Sequence, residues 1–287
     1  MTEHLGARRR LIDYASKPPL PQSNPSATHL QNYDLVYGRT PTEEASTLEQ
    51  FLSTYDTLGF EHVVVKARDI ETTFGIKIRN EDVAEFCAVH GPRYIGFAGV
   101  DPHKGMQAVR ELERAVKELG LRGLNLQCFE HKLPINDKLM YPLYAKCVEL
   151  DIPVNIHCGI NFSRQATMAY GQPFLLDEVL MHFPDLRVCA APPGWPWVEE
   201  LLGVAWKHPT LFIGLVMVKP KLLAVANSGY ESLLQYGRTV LKDRIIFGSG
   251  FPRLSPGQAV REVDELSMPD EIKDLWLYQN AKRFLRL

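Results

Sequence analysis

The sequence predicts an α/β chain folded as a (β/α)8 barrel of the TIM type, and three observations carry that expectation. Eight short, nearly continuous apolar runs recur along the chain, as strands covered on both faces require. The segments between them carry the spacing of amphipathic helices, giving βα units of about 30 residues that fit a barrel of about 250 residues with insertions. No GxGxxG follows the first run, which weighs against a doubly wound open sheet.

In order, RLIDYAS (10–16) is the first strand and HVVVKA (62–67) the second. Between them, 17–44 holds Pro18, Pro19, Pro21, Pro25 and Pro41. A loop so long in a compact chain is functional or disordered, and after the first strand it lies on the active face, either as a lid that brings Tyr33, Tyr37 or Arg39 or as an ordered surface excursion. YIGFAGV (94–100) is the third strand. In the helix 105–120, Ala108, Val109, Leu112, Ala115, Val116 and Leu119 fall on one face, and Gly120 stands where a C-terminal cap needs positive φ. LRGLNLQ (121–127), a helix over 138–151 and PVNIHCG (153–159) follow. A helix over 175–185, stopped by Pro184, leads to LRVCAAP (186–192), TLFIGLVM (210–217) and RIIFGSG (244–250).

A net charge of -2 offers no nucleic-acid surface, and Arg8-Arg9-Arg10 is the one dense basic run. Five scattered cysteines without CxxC spacing suit a reducing compartment rather than a disulfide framework. MTEHLGARRR has no apolar signal core, and no apolar run approaches the roughly 18 residues of a membrane span. The expectation is a cytoplasmic chain, 1–287 forming a single barrel domain with a loop insertion at 17–44, and with no nucleic-acid or membrane partner.

Six stretches in this order carry a resemblance: GPRYIGFAGVDP (91–102), GLRGLNL (120–126), DIPVNIHCG (151–159), HFPDLRVCAAPPGWPW (182–197), RIIFGSGFP (244–252) and YQNAKRFLRL (278–287). Together they resemble the amidohydrolase superfamily, in the branch of aminocarboxymuconate-semialdehyde decarboxylase. The resemblance implies a distorted (β/α)8 barrel and a divalent metal, commonly zinc, at the strand C-termini. It also implies where the ligands belong. The two histidines closing the first strand fall on Ala15 and Lys17, the fifth-strand histidine is His157, the sixth-strand histidine falls on Pro192, and the last-strand aspartate falls on Gly250. Alanine, proline and glycine offer no ligand and a lysine ammonium repels a dication, so the expectation is no metal in that position and no cofactor. A relocated metal held by His157, His103, His131 and Asp101 is one alternative; a non-catalytic binder or partner of an active relative is another.

At or just past the strand ends stand Ser16, Lys17, Lys66, Arg68, Asp69, Asp101, His103, Asn125, Gln127, His157, Asn161, Arg164, Trp195, Lys219, Ser249 and Arg253. Basic groups outnumber acids here, which suits a small-molecule carboxylate. The resemblance implies hydrolysis or decarboxylation of an aromatic or lactone-like acid, and self-association as a homodimer. His157 and Lys17 are the expected catalytic residues, the imidazole moving a proton and the ammonium stabilising developing negative charge. Ser16, Lys66, Asn125, Trp195, Lys219 and Arg253 are the expected substrate-binding residues. For Lys17, two other roles stay open: filling the place of the metal, or forming a Schiff base if burial and Lys66 depress its pKa.

Overall fold

A computed structural model describes residues 9–23, 31–36 and 47–287. Eight strands form one parallel sheet in the order β1 (Ile12–Ser16), β2 (His62–Lys66), β5 (Tyr94–Gly99), β6 (Leu124–Leu126), β7 (Val154–Ile156), β8 (Val188–Ala190), β9 (Leu211–Leu215) and β10 (Ile245–Phe247). The first and last strands meet through Gly250 N–H to Ala15 O (2.7 Å), Lys17 N–H to Phe251 O (2.8 Å) and a parallel bridge between Ser16 and Phe251. The sheet is thus a nearly closed (β/α)8 barrel.

Every run expected as a strand contains one, but the later strands are shorter than their apolar runs. β7 stops at Ile156 and β10 at Phe247, each three residues before a glycine with positive φ, Gly159 (94°) and Gly250 (72°). The small antiparallel ribbon of β3 (Arg68–Ile70) and β4 (Ile76–Ile78) was not visible as strands in the sequence. Its three-residue strands are too short to show a period.

The helix Met106–Lys117 buries Ala108, Val109, Leu112 and Ala115, the expected face. Gly120 takes φ 71°, and Leu121 N–H returns to Ala115 O at 3.0 Å, satisfying an otherwise open helix carbonyl. The other two expected helices run over Tyr141–Glu149 and Leu175–His182.

Alternation sorts the strand side chains into two cores. Val63, Val65, Leu124, Leu126, Val154, Ile156, Leu211 and Ile213 face the helices. Ile12, Tyr14, Val64, Ile95, Phe97, Cys189, Phe212 and Ile246 fill the barrel. Phe284, from the C-terminal helix Asn280–Leu285, joins this inner core, edge-on to Tyr14 at 5.6 Å and to Phe212 at 5.1 Å. Arg122 and Arg187, which precede β6 and β8, bond the carbonyls of Leu285 and Phe284. The barrel is therefore plugged at its N-terminal end, and the interior is free to open only at the other.

Of the 17–44 insertion, 17–23 and a short helix Gln31–Val36 are described; Tyr37 and Arg39 lie outside the described residues.

Candidate active site

Above the aromatic plug lies a polar floor. Lys66, at the end of β2, sits 4.2 Å over the Tyr14 ring and donates to Asn155 Oδ1 at 2.8 Å. Asn155 Nδ2 donates to Asn125 Oδ1 (2.9 Å), Gln127 Nε2 donates to the same oxygen (3.0 Å), and Asn125 Nδ2 donates to Ala67 O (2.9 Å). The chain of amides fixes where the Lys66 ammonium sits. Burial pushes Lys66 down to about 7, against the pull of Cys189 and Asp13, with Lys17 adding repulsion.

Lys17 leaves β1 at the mouth. Its backbone is held in the seam by Phe251, and the preceding Ser16 hydroxyl donates to Val64 O at 3.1 Å. The Lys17 side chain keeps accessible surface, yet protein surrounds its ammonium as densely as in an interior; both hold for a group lining a concave mouth. That burial lowers it to about 8, helped by Arg68 and Arg253 and opposed by Glu130.

His157 follows β7 and is buried, its ring packed edge-on against Phe129 at 4.5 Å. Its Nδ1 has no hydrogen-bond partner. Burial lowers the imidazole to about 4, with Glu130 opposing and Lys17 assisting, so the ring is neutral at pH 7. Glu130, in the short helix after β6, is buried and accepts from Arg68 at 2.9 Å. Tyr33, from the insertion helix, stacks on Phe129 at 6.2 Å, lies edge-on to Phe162 at 5.2 Å, and has the Arg253 guanidinium 5.8 Å from its ring.

The structure therefore brings Lys17, Lys66, Arg253 and His157 to one end of the barrel. Asn125 is in the floor, with its amide engaged. Ser16 is buried and spent on Val64. Trp195 is half-buried against the outer core, its carbonyl accepting Ile160 N–H at 2.7 Å, and Lys219 is exposed ahead of a 3-10 turn at Pro220–Ala224. No described contact ties Trp195 or Lys219 to Lys17 or His157. Glu130, Phe129 and Asn155 were missed in the sequence. Glu130 had one signal, an acid three residues past the end of the fourth strand run; Asn155 had none, because an asparagine inside an apolar run reads as a tolerated interruption.

The five positions do not fit a divalent metal. Ala15 and Pro192 carry no donor, and Lys17 carries a positive charge. At Gly250, an added Cβ would stand 2.5 Å from Met217 Sδ on a backbone at φ 72°, so an acid does not belong there without moving Met217. Among the described residues, no group of three or more His, Cys, Asp or Glu gathers to hold a metal. Of the relocated set, Asp101 and His103 are engaged within the protein: Asp101 accepts from Thr72 N–H (2.9 Å) and His103 N–H (3.0 Å), and His103 Nε2 lies 2.7 Å from His131 O, while the ring Nδ1 atoms of His131 and His157 have no hydrogen-bond partner. A cavity of about 570 Å³ lies elsewhere, lined by Asp56, Glu61, His62, His90 and Arg93 near the N-terminal rim. Its acids are paired, Glu61 with Arg10 and His62 and Asp56 with Arg93, so it offers no cationic cluster like that of the mouth.

Comparison with known proteins agrees with this geometry. The amidohydrolase family pattern matches residues 17–287. A 2-keto-4-carboxy-3-hexenedioate hydratase from a Sphingobium species is 42% identical over 113 residues, 32% of this chain and 33% of that protein. A 2-amino-3-carboxymuconate-6-semialdehyde decarboxylase from Dictyostelium discoideum is 22% identical over 238 residues, 72% of this chain and 65% of its own. Both matches thus span less than two thirds of the relative's length. An uncharacterised TIM-barrel protein from Bordetella bronchiseptica superposes with a TM-score of 0.80 at 24% identity, over 96% of this chain and 98% of its own. With the barrel, its strand order and the match over 17–287 in agreement, the chain belongs to the amidohydrolase family, in the branch that includes the aminocarboxymuconate-semialdehyde decarboxylases.

Proposed function

We propose that this protein is a decarboxylase-type lyase for a small carboxylated aromatic or unsaturated keto acid, working without a metal in the family position. The observation that carries the reading is the cationic mouth: Lys17, Lys66, Arg68 and Arg253 converge where Glu130 is already engaged by Arg68. Such a mouth favours a carboxylate, which a guanidinium holds with directional bonds. The relatives' names, a hydratase of a 2-keto acid and a decarboxylase of a carboxymuconate semialdehyde, point to the same substrate class.

Arg253 and Arg68 orient the carboxylate, Tyr33 and Phe129 offer ring faces to an unsaturated body, and Lys17 faces the charge that develops as a carbon–carbon bond breaks. An imidazole at about 4 is a weak base for activating water, which argues against hydrolysis. It suits proton delivery instead, because a docked anion favours the charged ring and raises its pKa as substrate arrives. On this reading residues 1–287 act as one barrel domain. The cytoplasmic location rests on cysteines that are all free, and a homodimer remains the family expectation.

The test is a panel of aromatic carboxylates and unsaturated keto acids, followed by carbon dioxide release and product mass. Turnover that disappears in Arg253→Ala and Lys17→Ala, with circular dichroism unchanged, is the expected result. Binding without turnover of any member would favour the small-molecule binder, which the four substituted family positions also suit. No binding at all would overturn the carboxylate reading.

A further inference from the structure

We infer that Lys17 is a covalent nucleophile, whose amine condenses with the ketone of a 3-keto carboxylic acid held at the barrel mouth. The inference rests on the carboxylate reading above and deepens it. Four features of the site argue for it.

The root of Lys17 is rigid: its N–H is bonded across the β1–β10 seam to Phe251 O at 2.8 Å, and Ser16 beside it is buried. Its ammonium carries no hydrogen bond or ion pair among the described residues, unlike the lysines near it. Lys66 is held by Asn155 and the Tyr14 ring, and Lys77 and Lys104 pair with Asp69 at 3.1 and 2.9 Å. Because β1 lies between β2 and β10, Lys17 emerges between Arg68 and Arg253, either of which can hold a carboxylate beside the amine. The nearby acid, Glu130, is engaged by Arg68 rather than by Lys17. The depressed pKa of about 8 agrees: at pH 7 roughly a tenth of the amine is free, against less than a thousandth for an ordinary lysine.

The steps balance without an external oxidant or metal. The amine lone pair attacks the ketone carbon, and the carbonyl π pair moves to oxygen, which takes a proton. The carbinolamine loses water as nitrogen forms the C=N bond. The bond to the carboxyl carbon then breaks, its electron pair moves into the iminium to leave an enamine, and carbon dioxide departs. The enamine carbon takes a proton from the site, and water hydrolyses the iminium to ketone and free Lys17. Overall a keto acid and one proton become a ketone and carbon dioxide.

The experiment is reductive trapping with the full chain. The protein is incubated with pyruvate as the carbonyl probe, with or without borohydride, and examined by intact and peptide mass spectrometry. Carboxylate binding is followed in parallel by the quenching of intrinsic fluorescence. The expected result is one adduct of pyruvate less one oxygen, on the peptide carrying Lys17, absent from Lys17→Arg. With a turned-over keto acid, Lys17→Arg should lose at least about 1,000-fold in kcat and change binding less than about 3-fold, since charge is kept and the nucleophile is not. Binding retained without any adduct, or an adduct on another lysine, overturns the inference and leaves the carboxylate reading standing. Loss of binding in the wild-type chain refutes the carboxylate reading itself.

Discussion

Two polar clusters lie a few residues apart at the opening of this barrel, and they differ in one respect. In the seam, the Asp13 carboxylate accepts from Ala15 N–H (3.1 Å), Ser249 N–H (2.9 Å), Ser249 Oγ–H (2.5 Å) and Tyr55 Oη–H (2.9 Å). At the mouth, the exposed Lys17 makes no side-chain hydrogen bond or ion pair among the described residues, and the buried His157 has no partner for Nδ1. Burial disfavours the charged form in both places: it raises Asp13 and lowers Lys17 and His157. Closed bonding makes the seam a structural joint between the first strand and the last. Open bonding leaves the mouth with capacity for a ligand, because a buried polar group without a partner gains most from acquiring one.

Variants in the two clusters should therefore behave in opposite ways. The largest effect is expected at the seam. Asp13→Ala leaves several buried donors unpaired and should cost about 4 kcal/mol or more, a large share of a typical total of about 5–15 kcal/mol. Denaturant midpoints measure it, and an unchanged midpoint would mean that the barrel is closed by other contacts.

Gly250→Asp sharpens the contrast at the point where the two regions meet. It places a side chain on a left-handed backbone and against Met217, and should destabilise by about 3 kcal/mol while recruiting no stoichiometric metal. Elemental analysis showing one equivalent of zinc would refute the closed account of that position.

A smaller effect is expected from acid. The folded His157 titrates near 4 and the unfolded one near 6.5, so the unfolded chain takes up the proton first. Its contribution is complete above about pH 6.5 and is lost as the pH falls towards 4, to the extent of about 3 kcal/mol. His131, also lowered to about 4 by burial, acts in the same direction. Replacing His157 by Gln should flatten the midpoint-versus-pH curve between those limits, and an equally steep curve would assign the acid sensitivity elsewhere.

The smallest structural effect belongs to the residue with the largest functional one. Lys17→Met should leave the melting temperature unchanged or higher, because an ammonium without a partner is removed, while turnover falls at least about 100-fold. A variant that melts early would make Lys17 part of the joint. The pH profile of kcat/KM separates its two roles. Among the charged neighbours Arg68, Arg253, Glu130, Lys66 and His157, a Lys17 amine gives a rate that rises with pH through about 8, and a Lys17 cation gives one that falls.

Much of this was legible in the chain itself. Apolar runs such as HVVVKA and TLFIGLVM, and the helical face of 105–120, express local periodicity, and periodicity needs no partner to be read. The residues past each strand end followed from the barrel, and the ligand gaps at Ala15, Lys17, Pro192 and Gly250 from the family frame. What the sequence withheld depends on distance in three dimensions. Nothing local tells that Asp13 joins Ser249 across 236 positions, that Arg68 engages Glu130, or that Tyr33 stacks on Phe129 beside His157. Identity and order along the chain determined which groups reach the mouth; only the tertiary structure decided which of them are already bonded and which are free to act, because desolvation and pairing are properties of the packed neighbourhood and not of the chain.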